Sequence, residues 1–161
     1  KDRVIRAVRI MAEKTGIYGM LGGQSVDVEN DGKPLEKDLL DYIYEHKTSA
    51  LIEASMMVGA ALAGASEAEI KVIEDSARDI GLAFQIRDDI LDVTSTTDEL
   101  GKPVFSDEKN DKTTYVTIEG IEKAKSDVEE ISKRAVSALQ SLGRKNDFLE
   151  ELVLMLVNRK K

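Results

Sequence analysis

The sequence predicts an all-α protein folded as one helical bundle. Among its 161 residues there are two prolines, no tryptophan and only 4% aromatic residues, whereas Ala, Leu, Ile, Glu and Lys are abundant, a balance that favours helix over sheet. Apolar residues also recur at intervals of three and four along most of the chain, as one face of a helix requires. With 42% hydrophobic residues, the chain is long enough for one domain with a sizeable core.

The composition also excludes several classes of function. The chain has no cysteine, so disulfides and thiolate metal sites are impossible, and one histidine, His46, cannot build a zinc site alone. A net charge of -8 disfavours nonspecific binding to nucleic acid. No apolar run is long enough to span a bilayer and the start does not resemble a secretory signal, so we expect no membrane insertion and a cytoplasmic location.

The first third of the chain contains three predicted elements. Residues 2–13 carry apolar side chains at helical spacing and predict a helix. Residues 17–24 are rich in glycine, which indicates either a turn or a helix packed closely against another backbone, and we favour the helix. Residues 30–34 have the composition of a turn. A short helix is then expected over residues 35–44, ending near Lys47.

The middle of the chain predicts two longer helices. Residues 48–62 are small and apolar, and a glycine follows them. Ser66 and Glu69 have the spacing of a capping box, in which side chain and backbone bond each other at a helix start. The helix that they open is expected over residues 67–93.

The last third begins with an irregular stretch. Residues 94–113 are polar and form the longest segment without a helical pattern, which is typical of a functional loop. Two further helices, over residues 118–142 and 147–158, complete the prediction. Because there is no internal repeat and no linker, we expect one bundle.

A polar stripe on the helix of residues 67–93 carries the first candidate site. Apolar residues cover most of the helix circumference, so the stripe should face a cavity rather than bulk solvent. Asp88 and Asp92 repel one another at i and i+4, and all three aspartates lie near the helix C-terminus, where anions are disfavoured. A magnesium ion bound to phosphate would relieve both penalties. The alternative is a solvated acidic surface, which the apolar surroundings make less favourable. The stripe comprises Gln85, Asp88, Asp89 and Asp92.

Positive charge for a phosphate is supplied by two segments. Lys102 and Lys112 lie in the loop, and Lys47 with Thr48 lies at the junction of two predicted helices, where free backbone N–H groups could also receive an anion. Each lysine alone could equally be a solvated surface charge. Arg87 falls within the apolar arc, and one interpretation is that it pairs with a carboxylate on a neighbouring helix.

The order of these motifs along the chain resembles the trans-prenyl diphosphate synthases, which are also called isoprenyl diphosphate synthases. The resemblance covers almost the whole chain and rests on five groups of residues. They are Gly22-Gly23-Gln24 with Asp27, then Lys47-Thr48, then Phe84-Gln85 before Asp88-Asp89-Ile90-Leu91-Asp92, then Gly101-Lys102, and finally Lys112-Thr113-Thr114-Tyr115.

This resemblance implies a helical bundle of the isoprenoid synthase type and a magnesium-dependent prenyltransferase. Asp88, Asp89 and Asp92 match the second aspartate-rich motif, whose aspartates bind Mg²⁺. The resemblance also implies roles for further residues. Lys47 and Lys102 bind the allylic diphosphate, Thr48 and Gln85 lie near the developing carbocation or the departing diphosphate, and Lys112 is another lysine of the loop. The substrates would be isopentenyl diphosphate and an allylic diphosphate, either geranyl or dimethylallyl, and the usual assembly is a homodimer.

Two departures from the family pattern bear on function. Phe105 stands where the family usually has glycine, which puts closure of the loop in doubt. The first aspartate-rich motif is absent, so residues 1–161 are expected to be the C-terminal part of a single synthase domain, inactive without a preceding N-terminal segment. The product implied is farnesyl diphosphate, with geranylgeranyl diphosphate nearly as well supported. A noncatalytic helical partner subunit, an inactive fragment and a plain helical interaction domain are the alternatives.

Overall fold

The computed structural model describes residues 1–95, 112–144 and 146–159, and every regular element within these ranges is helical. This confirms the predicted all-α class. None of the described helices is both long enough and apolar enough to cross a bilayer. In chain order the α-helices are α1 (Asp2–Thr15), α2 (Met20–Glu29), α3 (Lys37–Ile43), α4 (Ala50–Ala63), α5 (Glu67–Thr94), α6 (Tyr115–Glu119), α7 (Ile121–Ser141) and α8 (Asp147–Val157).

Helix α5 is the central element. Ser66 and Glu69 form the predicted capping box at its start, with each side chain bonded to the backbone N–H of the other residue. The helix packs against α4 on one side and against α7 on another. Its residues Ile86 and Ile90 are almost fully buried in a core that also takes apolar side chains from α3, α6, α7 and α8. Because α5 is enclosed in this way, its polar side chains are held in fixed directions.

The second predicted helix begins later than expected but is closely packed, as its glycines suggested. Helix α2 starts at Met20 rather than at residue 17. A Cβ atom added at Gly23 would lie only 2.7 Å from the carbonyl carbon of His46. Only glycine therefore allows the backbone of α2 to approach the segment that follows α3.

The predicted helix end near Lys47 is wrong. The chain continues from α3 through a single π-helical turn, Tyr44–Ser49, directly into α4. Helical backbone N–H groups before and through this turn are bonded within the helix, so residues 46–49 do not offer the free helix start that the sequence suggested.

The predicted helix over residues 118–142 is also corrected. It is divided at Gly120, whose φ of 83° breaks the helical path between α6 and α7. Such a backbone conformation is disfavoured for residues with a Cβ atom, which explains the glycine. Of the irregular stretch predicted over residues 94–113, Thr94 belongs to α5, while residues 96–111 lie outside the described ranges.

A buried ion cluster joins α1, α4 and α5. Lys14 donates to Glu53 and, at 2.6 Å, to Glu74. The Glu53 side chain is buried, so its charge depends on Lys14 and on Arg78, whose Nε lies 3.6 Å from Glu53 Oε1. Burial alone would lower the pKa of the Lys14 ammonium, but the hydrogen bonds to the two carboxylates outweigh it and raise the pKa above its ordinary value.

Candidate functional site

A small cavity of about 160 Å³ lies between the π-helical turn and α5. Acidic, basic and amide side chains contribute to its lining, namely Asp27, Lys47, Gln85, Asp88, Asp89 and Lys112. Three of the four side chains in the polar stripe of α5 therefore face a cavity, as expected. The fourth, Asp92, is only 2% exposed and lies outside the lining.

Asp89 is held firmly by two donors from different elements. The Tyr44 hydroxyl donates to Asp89 Oδ2 at 2.5 Å, and the backbone N–H of Tyr115 donates to the same oxygen at 2.8 Å. All three residues are buried. Asp89 thus ties the π-helical turn and the start of α6 to α5, which is a structural role in addition to any contact with a ligand.

The π-helical turn carries Lys47, which lines the cavity, and Thr48, which contacts α5. Lys47 Nζ binds Asp27 Oδ2 of α2 at 2.5 Å. The Thr48 hydroxyl donates to Gln85 Oε1, also at 2.5 Å. A lysine ammonium has three donors, so the pair with Asp27 leaves Lys47 able to bind an anion in the cavity.

Asp88 is the most accessible of the three aspartates and has an unexpected cation as its partner. Its side chain is 40% exposed, and its Oδ1 binds Arg159 Nη2 at 2.6 Å. The Arg159 guanidinium also lies 3.6 Å from the centre of the Phe84 ring. A residue beyond the end of α8 is in this way brought to the rim of the cavity.

Arg87 explains how Arg159 is held there. Its Nε and Nη2 donate to the backbone carbonyl oxygen of Arg159 at 3.1 and 2.8 Å. This carbonyl takes the place of the neighbouring carboxylate that the sequence suggested as the partner of Arg87.

Magnesium binds oxygen ligands, and the cavity offers carboxylate oxygens. Within the described ranges, no group of three His, Asp or Glu side chains lies close enough to hold a metal ion together. Magnesium does not need such a cage, because one or two carboxylates, waters and substrate phosphates usually complete its octahedron. Asp88 and Asp27 supply two carboxylates on the same cavity. The chemistry of these residues therefore fits a magnesium ion shared with a phosphate.

The two predicted loop lysines have different outcomes. Lys112 is exposed and lines the cavity. Lys102 lies outside the described ranges, as does Phe105. The structure therefore brings Lys47, Gln85, Asp88, Asp89 and Lys112 to one cavity, with Thr48 bound to Gln85.

Sequence reasoning missed three residues of the site. Asp27 belongs to the motif that begins at Gly22. Its pairing with Lys47, 20 residues further along the chain, has no local sequence signal. Tyr44 was assigned to a helix with no role. Arg159 lies 71 residues from Asp88, and the only signal for it was the basic end of the chain.

Known proteins resemble this chain along most of its sequence. The family described as polyprenyl synthetase matches residues 2–152. The chain is 41% identical over 156 residues to the heterodimeric geranylgeranyl pyrophosphate synthase large subunit 1 of Arabidopsis thaliana, covering 95% of this chain and 42% of that protein. It is 40% identical over 121 residues to the farnesyl diphosphate synthase of Geobacillus stearothermophilus, covering 75% and 41%.

A solved structure extends the comparison to three dimensions. The geranyltransferase of Helicobacter pylori, crystallised with magnesium and isoprenyl diphosphate, superimposes with a TM-score of 0.79 at 30% identity, covering 98% of this chain and 52% of that one. The chain spans about two fifths of the length of the curated relatives that it matches. The family match nonetheless extends over nearly all of its own residues, and the chain belongs to the polyprenyl synthetase family.

Proposed function

We propose that this chain is the C-terminal part of a single synthase domain that joins an allylic diphosphate to isopentenyl diphosphate. The observation that carries the proposal is the cavity whose lining brings Lys47 and Lys112 together with Asp88. Such a mixed lining suits a diphosphate bound together with a divalent cation, since lysines contact phosphate oxygens and the carboxylate faces the metal.

The proposed roles of the residues follow from what each one contacts. Asp88 would hold the magnesium ion, assisted by Asp27. Bound magnesium would neutralise charge on the departing diphosphate. Lys47 and Lys112 would bind the diphosphate oxygens as the carbon–oxygen bond breaks and its electron pair leaves with the diphosphate. The Lys102 role stays a prediction, because this residue lies outside the described ranges.

Thr48 and Gln85 would act on the allylic carbon. The Thr48 hydroxyl donates to Gln85, which fixes the amide of Gln85 toward the cavity. A fixed dipole stabilises positive charge without having to reorganise as that charge develops. The double bond of isopentenyl diphosphate would then attack the cation, and loss of a proton would complete the condensation.

Asp89 and Asp92 are kept as metal candidates with smaller roles than Asp88. Asp89 is already bound by two donors, and Asp92 is buried beside the cavity rather than in its lining. We propose that they support the position and charge of Asp88.

Farnesyl diphosphate is the proposed product, and geranylgeranyl diphosphate is the second candidate. The relatives carry both names. Chain length can be read by mass spectrometry of products once activity is obtained, and a twenty-carbon product would replace the first assignment with the second.

Assembly with another chain is also proposed. Val4, Ile5 and Val8 of α1 are more than half exposed. Exposed apolar residues on one helix favour an interface between subunits, consistent with the expected homodimer. A noncatalytic partner subunit remains the second candidate function, supported by the heterodimer named for the Arabidopsis relative. Light scattering after gel filtration of the chain and of a Val8→Glu variant tests the interface.

The central experiment combines this chain with the N-terminal part of the Geobacillus synthase. Isothermal titration with farnesyl thiodiphosphate, a nonreactive allylic analogue, should show magnesium-dependent binding that Asp88→Asn and Lys47→Gln each weaken at least about tenfold, roughly the effect of one charge-assisted contact. Asp75→Asn, which changes an exposed aspartate of α5, is the matched control. Binding that does not depend on magnesium, or that ignores both site variants, would contradict the proposal.

A further inference from the structure

We propose that Arg159 pairs with the Asp88 carboxylate when no metal ion is bound. Its guanidinium then competes with a divalent cation for that carboxylate. The inference rests on the proposed function, because it concerns the aspartate assigned to magnesium. It adds a positioning role for Arg87, for which the sequence suggested only a carboxylate partner on a neighbouring helix.

The first argument is the geometry at Asp88. Arg159 Nη2 lies 2.6 Å from Asp88 Oδ1. The Oδ1 lone pair that accepts this hydrogen bond cannot bind a metal ion at the same time. A guanidinium at this distance also repels an incoming divalent cation. Arg159 and a metal ion therefore compete for the charge and the lone pairs of Asp88.

The second argument is that Arg159 is held by a ring contact and by backbone hydrogen bonds as well as by charge. Its guanidinium stacks on Phe84, a favourable cation–π arrangement. Its carbonyl oxygen receives two hydrogen bonds from Arg87. Its side chain is only 15% exposed. Arg87 therefore acts as a positioning residue that anchors the backbone from which Arg159 reaches Asp88.

The third argument concerns the charges along α5. Asp88 and Asp92 lie one helical turn apart near the end of the helix, where neighbouring carboxylates repel. Arg159 supplies the positive charge that lowers this repulsion when no metal is bound. The sequence indicated that the acidic stripe requires a cation, and the structure provides one from the chain itself.

The fourth argument is an unsatisfied donor. Arg159 Nη1 is buried and has no hydrogen-bond partner among the described residues. A buried donor without an acceptor is unfavourable. The Arg159 guanidinium is therefore held in place while one of its hydrogen-bond donors stays unsatisfied. This leaves it displaceable by a cation that binds Asp88 more strongly.

The test uses Mn²⁺ alone as a paramagnetic probe, with free Mn²⁺ measured by electron paramagnetic resonance on the 161-residue chain. Arg159→Gln should bind Mn²⁺ roughly threefold to tenfold more tightly than the unmodified chain, the range expected for loss of one partly buried competing charge. Arg159→Lys, which keeps the charge but loses the planar stacking, should fall between them. Arg144→Gln removes an equal charge from an exposed position and should leave the affinity unchanged.

Two further variants show whether the gain arises at Asp88 and through Arg87. Adding Asp88→Asn to Arg159→Gln should remove the gain. Arg87→Gln should tighten Mn²⁺ binding while Arg159 is present and have no effect in the Arg159→Gln background. A general effect of removing one positive charge would tighten binding in both backgrounds. Far-UV circular dichroism checks that each variant remains helical.

The outcomes separate this inference from the proposed function. Equal Mn²⁺ affinity with and without Arg159, still dependent on Asp88, would overturn the competition and leave the metal site standing. Weaker binding in Arg159→Gln would also overturn it, since Arg159 would then assist the cation. If no variant shows binding that depends on Asp88, both the competition and the assignment of Asp88 to a metal fail.

Discussion

Removal of the Tyr44 hydroxyl is the sharpest test of how the site is held in place. In Tyr44→Phe the ring is kept, but Asp89 loses the donor that lies 2.5 Å from its Oδ2. Both side chains are buried, so water cannot easily replace the lost bond. A hydrogen bond to a charged group contributes about 1.5–3 kcal/mol, and Asp89 keeps the Tyr115 N–H. We therefore expect the free energy of unfolding to fall by about 2 kcal/mol.

Urea unfolding followed by circular dichroism measures this loss, and thermal unfolding should show a decrease of about 4–8 °C for a chain of this size. The control is Tyr18→Phe, which removes the same oxygen from a tyrosine that is 82% exposed. It should change stability by less than about 0.5 kcal/mol. If the two variants lose equal stability, the Tyr44–Asp89 bond does not anchor the π-helical turn to α5, and this part of the reasoning is wrong.

Three further predictions concern the same framework. Lys14→Met leaves the buried Glu53 carboxylate without its closest cation and should lower the free energy of unfolding by about 3 kcal/mol in urea titrations. Burial raises the pKa of Glu74, but hydrogen bonds from two lysines outweigh it and hold the pKa below its ordinary value of 4.5. The stability contributed by Glu74 should therefore be complete above pH 4.5 and be lost as the pH falls through the lowered pKa. Urea unfolding midpoints measured against pH record this dependence, and Lys14→Met should weaken it. In Gly81→Ala the new Cβ would lie 2.6 Å from a Cα atom of the π-helical turn, so the free energy of unfolding should fall by about 2 kcal/mol. In the control Gly59→Ala the new Cβ meets no atom within 4 Å, so the free energy of unfolding should rise by about 0.5–1 kcal/mol. Equal effects of the two variants would contradict the close contact at Gly81.

Local signals in the sequence were sufficient for much of the fold. The capping box of Ser66 and Glu69 marked the start of α5 correctly because both partners lie within one helical turn. The glycines of α2 indicated a close backbone approach, which Gly23 shows against the segment after α3. The direction of the polar stripe on α5 also followed from helical periodicity, since the apolar residues left only one sector for it.

Features that depend on distant residues could not be predicted. The π-helical turn differs from an α-helix by one residue in a single turn, and no local pattern distinguishes the two. Arg159 reaches Asp88 across 71 positions, and only the packing of α8 on α5 brings them together. Gly120 is a local signal for a helix break, which the prediction of one helix over residues 118–142 did not use.

The position of the cavity follows from how closely α5 approaches the π-helical turn. Gly81 has no side chain, so the backbone at Ser49 can pack directly against α5. Beyond that contact, Thr48 pairs with Gln85 and Tyr44 pairs with Asp89, which places two hydrogen bonds four residues apart on each segment. The two segments therefore run antiparallel in a fixed register. Because that register also directs Lys47 toward Asp27 and into the cavity, the geometry of the charged groups depends on a glycine that carries no chemistry of its own.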